Sequence, residues 1–189
     1  MTDSWSLNAS DGELLIRTGV TGRAARMGHQ LTIAVTCWRA TVSWKDAEPV
    51  GAVLAVEVGS LEVLRGEGGV KGLSAPEKAL VKSNALRSLD AGRYPEIRFT
   101  ADAIDMTDDG YRLTGTLRIR GRSREHVIAL RTEDLGHAWR MSAESKVRQS
   151  DYGVKPYSLL MGSVRVADEV SVSFTAVHAK GDRVAGGRF

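Results

Sequence analysis

Most of the chain alternates apolar and polar residues with a period of two, and this pattern constrains its fold more than any other feature. Leu31, Ile33 and Val35 alternate with small or polar residues, as do Val172 and Phe174 near the end of the chain. Because successive side chains of a β-strand point to opposite faces, each such stretch predicts a strand with one apolar face. Eight such stretches occur, near residues 12–20, 31–44, 51–63, 96–106, 110–120, 125–133, 138–148 and 164–179.

Short turn-like segments join most of these stretches. The pair Asp109-Gly110 is typical of a two-residue hairpin, and Gly121, Gly136 and the pair Ala167-Asp168 suggest further reversals. Strands joined by short turns run antiparallel, and closing the sheet removes its exposed edges. We therefore predict an all-β, eight-stranded antiparallel barrel rather than a sandwich.

One segment reads as a helix. Ser74 and Glu77 have the spacing of a capping box before a helical apolar pattern, and Gly92 is expected to end the helix in the left-handed conformation. Residues 151–163 break the strand pattern, and we expect them to form a short irregular plug near one mouth of the barrel.

The length of 189 residues favours one domain, which we place at residues 1–180, with a flexible C-terminal tail at 181–189. Cys37 is the single cysteine, so the chain has no internal disulfide. The first twenty residues lack the pattern of a secretory signal, and no stretch is apolar enough for a membrane span. We therefore expect a cytoplasmic protein.

Motifs for catalysis or metal binding are lacking in the sequence. His29, His126, His137 and His178 have no metal-ligand spacing, and neither a phosphate-binding loop nor a nucleophile elbow is present. We accordingly predict no metal, no cofactor and no catalytic residue, and thus not an enzyme. An isomerase or cyclase acting on a lipid stays open as an alternative, without an assigned residue.

Basic residues are concentrated between positions 112 and 148. They are Arg112, Arg118, Arg120, Arg122, Arg124, Arg131, Arg140, Lys146 and Arg148. On adjacent strands they could bind an anionic partner, either nucleic acid or a membrane surface. The stretch lacks interleaved aromatic residues for stacking on bases, which disfavours nucleic acid.

The interior of the barrel is the candidate binding site. A barrel of eight strands is either filled by its side chains or leaves room for one slender ligand, and the alternation fits both. The candidate ligand-binding residues are Ile33, Val35, Leu54, Val56, Phe99, Leu113, Leu117, Ile119, Ile128, Leu130, Trp139, Met141, Val172 and Phe174.

Three motifs, in this order, resemble the YceI-like family of lipocalin-like, polyisoprenoid-binding barrels. They are Tyr94-Pro95-x-Ile97-x-Phe99, Leu113-Thr114-Gly115-x-Leu117-x-Ile119-x-Gly121 and Asp151-Tyr152-Gly153. The resemblance spans roughly residues 10–178. It implies a lipocalin-like barrel with a helix inserted after the third strand and a long hydrophobic pocket for an isoprenoid chain.

Together these observations predict non-catalytic binding or carriage of a long apolar lipid, an isoprenoid or isoprenoid quinone, in the barrel. The alternative is a barrel whose basic outer face binds an anionic partner. The expected partner is a long-chain apolar small molecule, and a homodimer would have to use outward side chains or the mouth of the barrel.

Overall fold

The computed structural model describes residues 3–180, which form one antiparallel sheet and one α-helix, and the all-β class is as predicted. The strands are β1 (Asp3–Asn8), β2 (Gly12–Thr21), β3 (His29–Val35), β4 (Trp38–Lys45), β5 (Glu48–Glu57), β6 (Leu61–Gly68), β7 (Glu96–Thr107), β8 (Gly110–Ile119), β9 (Arg122–Asp134), β10 (Ala138–Arg148), β11 (Ser158–Leu159) and β12 (Val164–Ala179). The helix α1 (Ala75–Leu89) follows β6. The predicted tail, 181–189, lies outside the described residues.

The strands pair in the order β1-β4-β5-β7-β8-β9-β10-β12-β2-β3-β6, and β11 pairs with β12. The chain runs from β3 almost directly into β4, and from β5 into β6. The β3–β6 ladder is therefore the continuation of the hairpin that β4 and β5 form around Asp46 and Ala47. Because the pairing returns through β12 and β2 to this long hairpin, the sheet curls around an interior.

The expected number of eight strands was wrong, because the described residues contain twelve. Thr36 and Cys37 divide the predicted strand 31–44 into β3 and β4, and the 3-10 helix Val58–Ser60 divides 51–63 into β5 and β6. The strands β1 and β11 were not predicted. The divisions lie opposite one another, since Thr36 N donates a hydrogen bond to the Ser60 carbonyl at 3.2 Å.

Two of the predicted turns differ in detail. Thr107 pairs with Gly110, so the two residues of the β7–β8 turn are those at positions 108 and 109, rather than Asp109-Gly110. The pair Ala167-Asp168 is not a reversal but lies within β12, where the pairing with β2 shifts between Val166 and Val170. A β-bulge of this kind bends a strand without ending it.

The helix begins as predicted and ends earlier. Ser74 N donates a hydrogen bond to Glu77 Oε2 at 2.7 Å, which completes the capping box. The left-handed residue at the C-terminus is Asp90, with φ of 53°, and not Gly92. Aspartate tolerates this conformation better than most residues with a side chain. The helix packs against β6.

Two groups of buried apolar side chains fill part of the interior. One is centred on β3, β4 and β6 and includes Ile33, Trp38 and Leu61, and the other joins β7 and β8 to Tyr152 and Val154. Tyr152 and Val154 belong to the segment 151–163 that we expected to form a plug. These two side chains pack into the interior at one end of the sheet, whereas Leu159, Leu160 and Met161 of the same segment are exposed.

Candidate ligand-binding site

The curled sheet surrounds two adjoining apolar cavities. The larger, of about 650 Å³, is lined by Trp5, Trp44 and Trp139, and we call it the tryptophan cavity. The smaller, of about 420 Å³, is bounded on one side by α1, and we call it the helix cavity. Both volumes are typical of small-molecule sites. The cavities adjoin because six residues line both, namely Leu14, Leu54, Phe99, Ile128, Ser145 and Val172.

Aromatic side chains form the surface end of the tryptophan cavity. The ring of Trp5 stacks on those of Trp44 and His178, with centroids 5.6 and 4.1 Å apart. Trp139 is 38% exposed, and the ammonium of Lys180 lies 4.4 Å from its ring centroid. The indole Nε1 of Trp44 is buried and has no hydrogen-bond partner within the described chain. This end can therefore cover a ligand with flat, largely apolar rings.

The helix cavity lies between α1 and the segment that follows β10. One wall is formed by Val81, Ala85 and Leu89, which lie on one face of α1. The facing wall includes Tyr152 and Leu160. The inserted helix and the predicted plug thus both contribute walls to the same cavity.

The corner Asp151-Tyr152-Gly153 is held in place from two directions. Arg120 Nη1 donates a hydrogen bond to the Gly153 carbonyl. Ser150 N donates to a carboxylate oxygen of Asp168 at 2.8 Å. Tyr152 is buried, and this burial, together with the charge of Asp151, raises the pKa of its phenol. The corner therefore presents a neutral ring to the helix cavity.

Among residues 3–180, no aspartate or glutamate lines either cavity, so these residues offer no carboxylate for acid-base catalysis there. Lys180 and Arg165 are their charged residues, one in each cavity. His126 Nε2 lies 2.6 Å from Ser145 Oγ, and burial lowers the pKa of its imidazole. Within residues 3–180, no three potential ligands lie together as a metal would require.

The structure brings all fourteen predicted site residues to the walls of the two cavities. Leu113, Leu130, Trp139, Met141 and Phe174 line the tryptophan cavity, Ile33, Val35, Val56, Leu117 and Ile119 line the helix cavity, and Leu54, Phe99, Ile128 and Val172 line both. Their contact with a ligand stays a prediction.

Several lining residues were not predicted. Trp5 was missed although it and Leu7 alternate with serines in β1, which is a detectable strand signal. His126 was treated as an ordinary histidine, although it has the same alternation as Ile128. The lining residues of α1, such as Val81, were recognised as an apolar helix face, but its partner could not be known from the sequence.

The basic residues between 112 and 148 lie on β8, β9, β10 and the turn between β8 and β9. Three of the nine form ion pairs, Arg131 with Asp109 at 3.2 Å, Arg140 with Glu133 at 2.8 Å and Lys146 with Glu169 at 2.9 Å. Arg122 and Arg124 pair with Ile119 and Leu117, which line the helix cavity, so these two arginines are not on the outer face. Both this placement and the ion pairing reduce the charge that the outer face offers to a partner.

A curled antiparallel sheet around apolar cavities defines a lipocalin-like fold. The model of the YceI-like domain matches residues 5–178, and the chain belongs to the YceI-like family. This family is known as a polyisoprenoid-binding barrel fold that binds apolar ligands, and it is not a known enzyme family. The resemblance inferred from the sequence is thereby confirmed.

Solved structures show the same fold. The crystal structure of Burkholderia cenocepacia BcnA is 18% identical, with a TM-score of 0.66, and the match covers 90% of this chain and 98% of that one. A Campylobacter jejuni YCEI protein is 15% identical, with a TM-score of 0.58, over 79% of this chain and 85% of that one. No match to the sequence was found among curated proteins. Over residues 3–180, none of the helices has the length and apolar character needed to cross a membrane.

Proposed function

We propose that this protein binds and carries a long apolar lipid, an isoprenoid or isoprenoid quinone, in the two adjoining cavities, without catalysing a reaction on it. The observation that carries this proposal is the largely apolar lining of both cavities, to which the described part of the chain contributes no carboxylate. Burying each methylene of such a chain contributes about 0.8 kcal/mol. Losses of association and chain entropy offset about half of the total for a long chain.

The distribution of polar groups supports one orientation of the lipid. Lys180, His178 and the unpartnered Trp44 Nε1 are at the surface end of the tryptophan cavity. A quinone ring placed there could accept hydrogen bonds and stack on Trp5. The isoprenoid tail would then run past Phe99 into the helix cavity.

The direct experiment is organic extraction of the purified protein followed by mass spectrometry, together with titration of the emptied protein. A ubiquinone with a short isoprenoid tail is a suitable probe, because a quinone close to Trp5, Trp44 and Trp139 quenches their fluorescence. Protein that contains no lipid and shows no saturable quenching would contradict the proposal.

A matched pair of substitutions separates cavity binding from adsorption to the surface. Ala143 lines the tryptophan cavity, whereas Ala129 is exposed on the neighbouring strand β9. Ala143→Phe fills part of the cavity and is expected to weaken quinone uptake by about tenfold, the equivalent of about 1.4 kcal/mol. Ala129→Phe adds the same ring outside and is expected to leave uptake unchanged.

The remaining predictions are part of this proposal. They are the single domain over residues 1–180, the cytoplasmic location and, for any homodimer, an interface made of outward side chains or the mouth. The basic outer face as a site for an anionic partner remains the alternative, and the ion pairs described above weaken it.

A further inference from the structure

The loop that follows β11 carries exposed apolar side chains at the opening of the helix cavity. Leu159 and Leu160 line this cavity and are 52% and 60% exposed, and the neighbouring Met161 is fully exposed. Met27, in the 3-10 helix Ala25–Met27, lines the same cavity and is 57% exposed. A hydrogen bond of 2.9 Å from Ala24 N to the carbonyl of residue 163 joins the segment of Met27 to the loop after β11. We refer to the four side chains together as the apolar rim.

The backbone of the rim is held in an unfavourable conformation. Leu160 and Met161 have φ angles of 50° and 54°, in the left-handed region that residues with large side chains rarely adopt. Val166 N donates a hydrogen bond to the Tyr157 carbonyl at 2.9 Å, which fixes the loop on one side. Strain of this kind persists where the surrounding structure imposes it, and it is concentrated at functional sites. Here it coincides with two large apolar side chains exposed to solvent.

Basic residues flank the apolar rim. Arg23 and Arg26 lie beside Met27 in the chain, and Lys155 and Arg165 lie on either side of the β11 loop. No acidic residue occurs in the sequence between positions 14 and 45 or between 152 and 167. Among the ion pairs within residues 3–180, none includes any of these four cations.

We propose that this rim docks on a membrane that contains anionic phospholipids. The inference rests on the proposed function, since it gives the lipid a route between the bilayer and the helix cavity. Leu160, Met161 and Met27 would enter the interface, and the flanking cations would contact the phosphate groups. Exposed apolar side chains combined with basic neighbours are the pattern of membrane-surface binding.

The composition of the rim favours lipid over nucleic acid. Binding of single-stranded nucleic acid relies on aromatic rings that stack on bases. The rim offers aliphatic and thioether side chains, with Tyr157 as an aromatic neighbour that is 37% exposed. Its apolar surface is also continuous with the wall of the helix cavity, so a lipid chain could pass between bilayer and cavity without crossing water.

Flotation with phosphatidylcholine vesicles, with and without phosphatidylglycerol, tests this proposal. The wild type is expected to float with the anionic vesicles and to be released by salt, because the attraction of basic residues to the surface is screened. Met161→Asp and the double variant Arg23→Gln/Arg26→Gln are each expected to lower the bound fraction, with partitioning weakened by about tenfold. Neither Met161 nor the two arginines line a cavity.

Matched controls lie elsewhere on the sheet. Met106, on β7, is 76% exposed and does not line either cavity, so Met106→Asp makes the same chemical change away from the rim. Arg112→Gln/Arg118→Gln removes two charges from the outer face of β8, where both side chains are exposed. Both controls are expected to float like the wild type. Equal losses in the controls, or no flotation of the wild type with anionic vesicles, would overturn the docking proposal.

Failure of docking and failure of lipid binding give different results. Uptake of the short-tailed ubiquinone from solution, without vesicles, does not require a membrane. The quinone is therefore expected to quench the tryptophan fluorescence of Met161→Asp as it does that of the wild type, although this variant no longer floats with anionic vesicles. A wild type that floats but takes up no quinone would overturn the proposed function, and with it the role of the rim in lipid transfer.

Discussion

Gly121 lies against the ring of Tyr94, so closely that a Cβ atom on Gly121 would be 2.7 Å from Tyr94 Cε1. Tyr94 precedes Pro95 at the start of β7, and Gly121 is in the β8–β9 turn with φ of 72°. Two of the family-like motifs in the sequence therefore meet in space. Their contact fixes one end of the sheet beside the helix cavity.

Substitution Gly121→Ala is expected to destabilise the protein by about 2 to 4 kcal/mol, because it adds a steric overlap to an unfavourable backbone conformation. Gly136 has φ of 84°, and a Cβ atom added there would have no neighbour within 4 Å, so Gly136→Ala isolates the backbone effect. The control is expected to lose about 1 to 2 kcal/mol. Urea unfolding measures the free energy of unfolding of both variants. Equal losses of this free energy would show that the contact with Tyr94 is unimportant.

Adjacent residues of β9 allow a test of which face of the sheet meets the ligand. Ile128 lines both cavities, whereas Val127 is 49% exposed. Ile128→Arg is expected to abolish quinone uptake, since it places a charge in an apolar cavity. Val127→Arg is expected to bind like the wild type.

Circular dichroism and thermal melting establish whether the Ile128→Arg variant folds. If it does not fold, Ile128→Thr keeps the branch at Cβ and replaces the ethyl group with a hydroxyl. Quinone uptake by this variant is expected to fall by about threefold to tenfold. Unchanged uptake in Ile128→Thr would place the quinone outside the cavities.

Because of the capping box, part of the stability of the folded protein depends on pH in the acid range. Glu77 accepts hydrogen bonds from Ser74 N and Oγ at 2.7 and 2.6 Å, and these bonds lower the pKa of its carboxyl below the usual value of 4.5. Because the pKa is lower in the folded state, this contribution is present above the usual pKa and is lost as pH falls through the lowered one.

The wild type is therefore expected to lose more stability than Glu77→Gln between about pH 6 and pH 3. Melting temperatures of both proteins across this range provide the measurement. Parallel curves for the two proteins would argue against a charged hydrogen bond at the start of α1.

His126 is expected to make the protein less stable in mildly acidic solution. Burial lowers the pKa of its imidazole below the usual 6.5, so the unfolded chain binds a proton more readily than the folded one. The stabilising effect of a neutral His126 is fully present above the usual pKa and is lost as pH falls through the lowered value.

His126→Gln removes the titrating group, and its melting temperature is expected to fall less steeply than that of the wild type just below pH 6.5. A variant with the same slope as the wild type would assign the pH dependence to other groups. Nuclear magnetic resonance of the imidazole protons then provides a direct check of the protonation state.

The period of two predicted most strand positions and many of the side chains that line the cavities, because side-chain direction in a strand depends on local geometry. It did not predict the division of the long strands. Val35 and Trp38 are both buried although they are three positions apart, an odd spacing, so the inward face changes parity at Thr36 and Cys37. The sequence shows this change of parity. A change of parity alone, however, does not tell whether a strand ends there or whether the alternation within one strand is irregular.

The volume of the cavities could not be predicted from the sequence, for a different reason. Whether Leu54 and Phe99 meet facing side chains or leave a space depends on the curl of the whole sheet, which no local pattern encodes. The residues of α1 that face the interior posed the same problem. Their apolar face was evident, yet only the folded chain shows that it covers a cavity.

The division of the long hairpin into β3–β6 and β4–β5 has a consequence for evolution within this fold. The tip at Asp46 and Ala47 borders the tryptophan cavity alone, since Ala47 lines it and no residue of this turn reaches the helix side. Each residue pair inserted at the tip would lengthen the hairpin by about 3.3 Å. Such insertions would deepen the tryptophan cavity while the inserted helix and its partners keep their packing.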